Sequence, residues 1–161
     1  MYKVINDTYT HLHSVNLTDE LVVSQIVFDL TDITGFYVNA TNPVNIFSHV
    51  TCGHVPNATN FCGYLVEPIP PVSELGTTHV VPPLVRSSPA AGYVVRVVAT
   101  SSETNVTWRS NSAVKPSVGF SIKSAGEFQQ LDVVANLEPL LVTCSKPCLV
   151  MQYNKGRYDS T

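Results

Sequence analysis

In "HVTCGHVPNATNFCG", residues 49–63, His49, Cys52, His54 and Cys62 form the pattern H-x2-C-x-H-x7-C. Imidazole nitrogens and thiolates are the ligands that tetrahedral zinc takes, although this spacing matches no common finger. The same two thiols, if oxidised, close a nine-residue loop, which in the chain-entropy model stabilises a fold by roughly 2–3 kcal/mol. Cys144 and Cys148 of "CSKPC" form the other local pair. N-x-S/T sequons at Asn6, Asn16, Asn39, Asn57 and Asn105 suit an oxidising, secretory setting. A chain rich in Ser, Thr and Asn also produces such triplets by chance. Zinc, a bridge and free thiols therefore all stay open, with reduced, partly buried thiols the plainest reading.

Other chemistry finds less support. "SAVK", Ser112 to Lys115, fits S-x-x-K without its companion motifs, and no G-x-S-x-G elbow occurs. Phosphate-binding glycine loops and paired catalytic carboxylates are missing too. No enzyme is expected. Asp19, Glu20, Asp29 and Asp32 are weak calcium candidates, because hard cations favour clustered carboxylates and a neighbouring subunit can complete such a site. Solvated turns explain them more simply. His11 and His13 of "HLH" read as an exposed N-terminal strand.

The 161 residues suffice for one domain with a sizeable core. Charged residues make up only 13%, roughly half the usual share. A neutral surface of this kind suits either burial against partners or a polar, uncharged exterior. Residues 1–85 hold one basic residue against seven acidic ones, and residues 86–161 hold eight basic against five acidic. The eight are Arg86, Arg96, Arg109, Lys115, Lys123, Lys146, Lys155 and Arg157. They are candidates for a mildly basic face turned towards RNA, although no Lys/Arg run occurs and the pI is near 5.9. No apolar run reaches the length of about eighteen residues that a membrane helix needs.

Positioning these residues falls to short strands. In "SVGFSIK" Val118, Phe120 and Ile122 alternate with polar residues, and in "TNVTWRS" Val106 and Trp108 alternate with Asn105, Thr107 and Arg109. "LVVSQIVFDL" (21–30) and "GYVVRVVAT" (92–100) are apolar on both faces, as strands covered on two sides are. "GFYVNA", "VNIFSHV", "FCGYLVE", "THVV", "FQQLDVVA", "EPLLVTC" and "CLVMQY" are further strands, separated by turn-forming clusters. "EPIPPVSELG" (67–76) reads as an extended loop. The expected fold is all-β: one antiparallel sandwich over residues 1–161, with 1–18 as an N-terminal arm.

As a strand pattern carried by "LVVSQIVFDL", "GYVVRVVAT", "SVGFSIK" and "CLVMQY", the chain resembles the jelly-roll coat proteins of small satellite RNA viruses. That resemblance implies about eight main strands in two four-stranded sheets. It also implies a closed icosahedral shell of roughly sixty copies of the chain itself. RNA would be enclosed, held by the eight basic residues, with calcium admissible between subunits. The setting would be a virion assembled in the host cytoplasm, where thiols stay reduced. "MYKVINDTYTHLHS", with its one lysine, departs from the basic arm usual in such proteins. The alternative is a secreted or cell-surface β-sandwich that binds glycans or acts as an adhesin, with oxidised cysteines and occupied sequons.

Overall fold

The computed structural model describes residues 1–5, 7–18, 23–27, 32–55, 62–84, 92–110, 118–133 and 138–155. Their strands, in chain order, are β1 (Tyr2–Ile5), β2 (Thr8–His11), β3 (Phe47–Gly53), β4 (Gly63–Pro68), β5 (Thr78–Val81) and β6 (Tyr93–Ala99), followed by β7 (Thr104–Ser110), β8 (Val118–Ile122), β9 (Phe128–Val133), β10 (Leu140–Cys144) and β11 (Cys148–Asn154). The "EPIPPVSELG" loop carries a single 3-10 turn, Val72–Glu74. All pairings between these strands are antiparallel. The chain is all-β, as its period-two patterning requires.

Seven strands build two sheets, β5-β10-β7-β8 and β11-β6-β9. The described sheets thus hold four and three strands, where the coat-protein resemblance implies four and four. Consecutive strands β6 and β7, β8 and β9, and β10 and β11 each fall in different sheets, so the chain repeatedly crosses between layers. Tyr93, Val95, Val97 and Ala99 of β6 meet Val106 of β7, Ile122 of β8, and Leu140 and Val142 of β10 in one core, each of them at most 2% exposed. Valine dominates because a β-branched side chain packs well on a pleated surface and loses little rotamer freedom there. In β7, Val106 and Trp108 turn inward while Asn105, Thr107 and Arg109 turn outward, as the alternation predicts.

The two-faced strand "GYVVRVVAT" is covered on its second side as well. Val94 and Val98 are buried on the face of β6 opposite the core. On that same face Arg96 is held by Asp32 and Thr34 of the N-terminal part. β1 and β2 form a two-stranded ribbon, and Tyr2 exchanges backbone hydrogen bonds with Tyr37, at 2.7 and 2.9 Å. Asp7, at the β1–β2 turn with φ 59°, accepts from the Ala125 backbone N–H at 2.9 Å. Gly35 lies against Gly126, so close that a Cβ on Gly35 would overlap the Gly126 carbonyl. Residues 2–5 and 8–11 of the expected arm therefore form a paired ribbon fastened to the sandwich.

Two strand expectations are corrected. Of "LVVSQIVFDL", residues 23–27 are described and are not strand, with Val23 89% and Val27 77% exposed; the rest of that segment lies outside the described residues. β-branched composition makes a strand only where a sheet edge offers a ladder, and the N-terminal layer already occupies the second face of β6. "GFYVNA" contributes only the isolated bridge at Tyr37.

Candidate functional site

β3 and β4 pair with each other and with no other described strand. A free two-stranded ribbon is marginal in water, and this one is fastened at both ends. Cys52 and Cys62 form a disulfide at the loop end, with Cα atoms 4.9 Å apart. At the open end the Ile69 N–H donates to the Ile46 carbonyl at 2.9 Å. Strand alternation divides the ribbon into two faces. Val50, Gly53 and Leu65 share one, since a Cβ on Gly53 would meet the other two side chains. Glu67, paired with Ser48, belongs to that face, and its charge reaches Tyr153 of β11. On this side Ser48, Gly53 and Leu65 are half-buried and Val50 is 42% exposed.

The opposite face carries Phe47, His49, Tyr64, Val66 and Pro68. Register pairs Phe47 with Pro68 and His49 with Val66, and the His49 and Tyr64 rings lie 6.3 Å apart. Phe47 is 64% exposed, Tyr64 63% and Val66 50%. Gln25 Nε2 approaches His49 Nε2 at 3.5 Å, so the exposed Val23–Val27 segment runs beside this face. Isolated exposed apolar residues are ordinary, but a contiguous aromatic and aliphatic patch marks an interaction surface. Phenylalanine, tyrosine and histidine on a cross-linked ribbon lose little conformational freedom on docking, and aromatic anchors of this kind dominate binding energy. A second aromatic group, Tyr2, Tyr9, His11 and Tyr37, is made of rings stacked edge to face on one another. Those contacts fasten the β1–β2 ribbon to residue 37.

Of the eight basic residues, Arg86, Lys115 and Arg157 lie outside the described residues. The other five do not share a face. Arg96 projects from the second face of β6, where its Nη1 donates to Asp32 Oδ2 at 3.1 Å and to Thr34 Oγ1 at 2.6 Å. Its guanidinium also lies 4.4 Å from the centre of the Phe128 ring. Arg109 is exposed on the outer face of the four-stranded sheet, on the opposite side of the sandwich. Lys123 is exposed just past β8. Lys146 donates to the Ser102 carbonyl at 2.6 Å, and the buried Lys155 pairs with Asp132. A basic surface tracking RNA needs such cations side by side; here Arg96, Lys146 and Lys155 are spent as internal clamps, and Arg109 and Lys123 lie apart.

Among the calcium candidates Asp19, Glu20 and Asp29 lie outside the described residues, and Asp32 is committed to Arg96 and Thr34. Burial pushes the Asp32 carboxyl upward, but hydrogen bonds from the Thr34 hydroxyl and N–H, with the charge of Arg96, outweigh it and hold the group below 3.8. Burial raises the Tyr153 hydroxyl; Arg96 opposes this, and Asp32 and Glu67 reinforce it.

The expectation of free thiols is corrected at both pairs. Cys144 and Cys148 are also bonded, across the corner where β10 of one sheet leads into β11 of the other, and no free cysteine remains. Both are buried in the core, at 3% and 0% exposure. Cys52, His54 and Cys62 do bring three candidate ligand atoms within 4.8 Å of one another. Thiolate is the metal-binding form of cysteine, and the disulfide consumes both thiols. In this oxidised state the zinc pattern does not operate.

The docking face escaped sequence reasoning because "VNIFSHV" and "FCGYLVE" carry apolar residues on both faces, Phe47, Tyr64 and Val66 on one and Val50 and Leu65 on the other. Which side a second layer covers is not written in the strand itself. The cysteine pair bracketing the hairpin is the one local signal that this segment is a fastened ribbon.

Residues 7–161 match the family described as IgGFc binding protein. No curated protein and no solved structure matches the chain. The family match spans nearly the whole sequence and overturns the coat-protein resemblance. That resemblance rested on strand pattern and neutral composition, which a secreted two-sheet binding domain shares. With it go the sixty-copy shell, the enclosed RNA and the virion assembled in the cytoplasm. Paired cysteines throughout point the same way, since cytosolic reductants keep thiols free.

Proposed function

Since the chain belongs to the IgGFc binding protein family, we propose that it is an extracellular binding module whose ligand is the Fc region of immunoglobulin G. The ligand docks on the outer face of the β3–β4 ribbon, against Phe47, His49, Tyr64, Val66 and Pro68. The module acts by association rather than catalysis. What carries this reading is the exposure of Phe47 and Tyr64 on one face of a disulfide-fastened ribbon. Support comes also from the disulfide that holds the two strands in register and from the low charge of the chain, because interface centres are depleted in charged residues.

Immobilised Fc and Fab fragments of immunoglobulin G, probed with the purified chain by surface plasmon resonance, test the ligand. Saturable binding to Fc and none to Fab is the expected result. No binding to Fc, or equal binding to both fragments, would overturn the assignment.

A further inference from the structure

Three of the five sequons fall on described residues, and all three present an exposed asparagine and an exposed threonine. They are Asn16-Leu17-Thr18, Asn39-Ala40-Thr41 and Asn105-Val106-Thr107. None has proline at its centre. Asn16 follows the end of the β1–β2 ribbon, where the His13 carbonyl accepts from the N-terminal amine. Asn39 comes two residues after Tyr37, in the layer covering the three-stranded sheet. Asn105 lies on the far side of the molecule, in β7. There the alternation of the strand buries Val106, at 1% exposure, and turns both Asn105 and Thr107 to solvent.

We propose that Asn16, Asn39 and Asn105 carry N-linked glycans. The acceptor is the side-chain amide Nδ2, and the donor is an oligosaccharide linked through its anomeric carbon to a polyprenyl pyrophosphate. The N–C bond forms as the C–O bond to pyrophosphate breaks. The amide gives up one proton, and the polyprenyl pyrophosphate leaves with the bonding electron pair. Transfer precedes folding, so the finished fold needs only to leave each site open to solvent, as it does here.

The position of Asn105 gives its glycan a specific task. Asn105 is in register with Ser121 of β8, the edge strand of the four-stranded sheet among the described strands. Open edges invite strand addition from other chains, and proteins usually blunt them with charge, proline or a covering segment. The outward-facing residues in the middle of this edge, Asn105, Thr107, Gly119 and Ser121, are uncharged, and the charges of Arg109 and Lys123 flank them at its ends. A branched glycan beside Ser121 supplies the bulk and hydration that charged side chains provide elsewhere. The same logic answers the composition: a surface short of ionised groups stays soluble when sugars cover it. None of the three sites lies on β3 or β4.

This inference rests on the extracellular reading above but not on the identity of the ligand. The chain is secreted from a eukaryotic cell behind a cleavable leader and deglycosylated enzymatically in heavy-oxygen water. Peptide mass mapping then finds which asparagines become labelled aspartate. Labelling at residues 16, 39 and 105 is expected, with one mobility step lost in each of Thr18→Ala, Thr41→Ala and Thr107→Ala. Secreted, disulfide-intact protein without label at these residues would overturn the proposal whether or not it binds Fc. Loss of Fc binding with the glycans in place would sink the docking assignment alone.

Discussion

Arg96 of β6 reaches 64 positions back along the chain to Asp32, donating through Nη1 to Oδ2 at 3.1 Å and Oδ1 at 3.4 Å. The pair fastens the N-terminal layer to the three-stranded sheet, and Thr34 and Gln130 complete it from either side. The Arg96 side chain is 18% exposed and that of Asp32 53%, so water screens the pair and its contribution is modest.

Because the folded protein holds Asp32 below 3.8, its ionised form is the one the fold favours. The stabilisation is complete above that value and is lost as pH falls through the lowered folded value. Urea unfolding of the wild type and Asp32→Asn should therefore differ at neutral pH, and the gap should close as the buffer is taken down towards pH ~2. A gap that stayed constant over this range would place the effect elsewhere.

Gly35 has φ +86° and sits backbone to backbone with Gly126, whose φ is +77°. Gly35→Ala both strains the backbone and drives a methyl into the Gly126 carbonyl. We expect a loss of about 2 kcal/mol or more in unfolding free energy. Hydrogen exchange should show the β1–β2 ribbon loosening before the core does.

The two disulfides should differ in consequence. Cys144→Ser with Cys148→Ser removes a buried bridge between sheets and should lower global stability by about 2 kcal/mol from loop entropy alone. Cys52→Ser with Cys62→Ser acts on a ribbon outside the core, so it should leave the main unfolding transition nearly unchanged while weakening Fc binding. Thiol titration of the denatured wild type without reductant should find no free thiol.

Sequence periodicity locates most of the sandwich because its core is built from strands with one wet face. Val106 with Trp108 in β7 and Ile122 in β8 take the sides their alternation assigns. It fails where two states share one pattern. "GYVVRVVAT" and "LVVSQIVFDL" look alike, yet the first is the centre of a sheet and the described part of the second is exposed and irregular. Only the tertiary partners distinguish them. Cysteine oxidation was equally hidden, since spacing allows both local bridges and compartment decides whether they form. The basic residues misled because charge counts carry no direction: Arg96 and Arg109, thirteen residues apart in the sequence, point from opposite faces of the molecule.

The central claim is that the outer face of the β3–β4 ribbon docks the ligand. Its most direct test is the Fc affinity of Phe47→Ala and Tyr64→Ala, each checked by circular dichroism for an intact fold. Anchors at the centre of an interface are worth about 2 kcal/mol or more apiece, so each variant should bind roughly 30-fold more weakly or worse, while Tyr9→Ala on the β1–β2 ribbon binds as the wild type does. Unchanged affinity in both ribbon variants, with the loss appearing instead in Tyr9→Ala, would contradict the account.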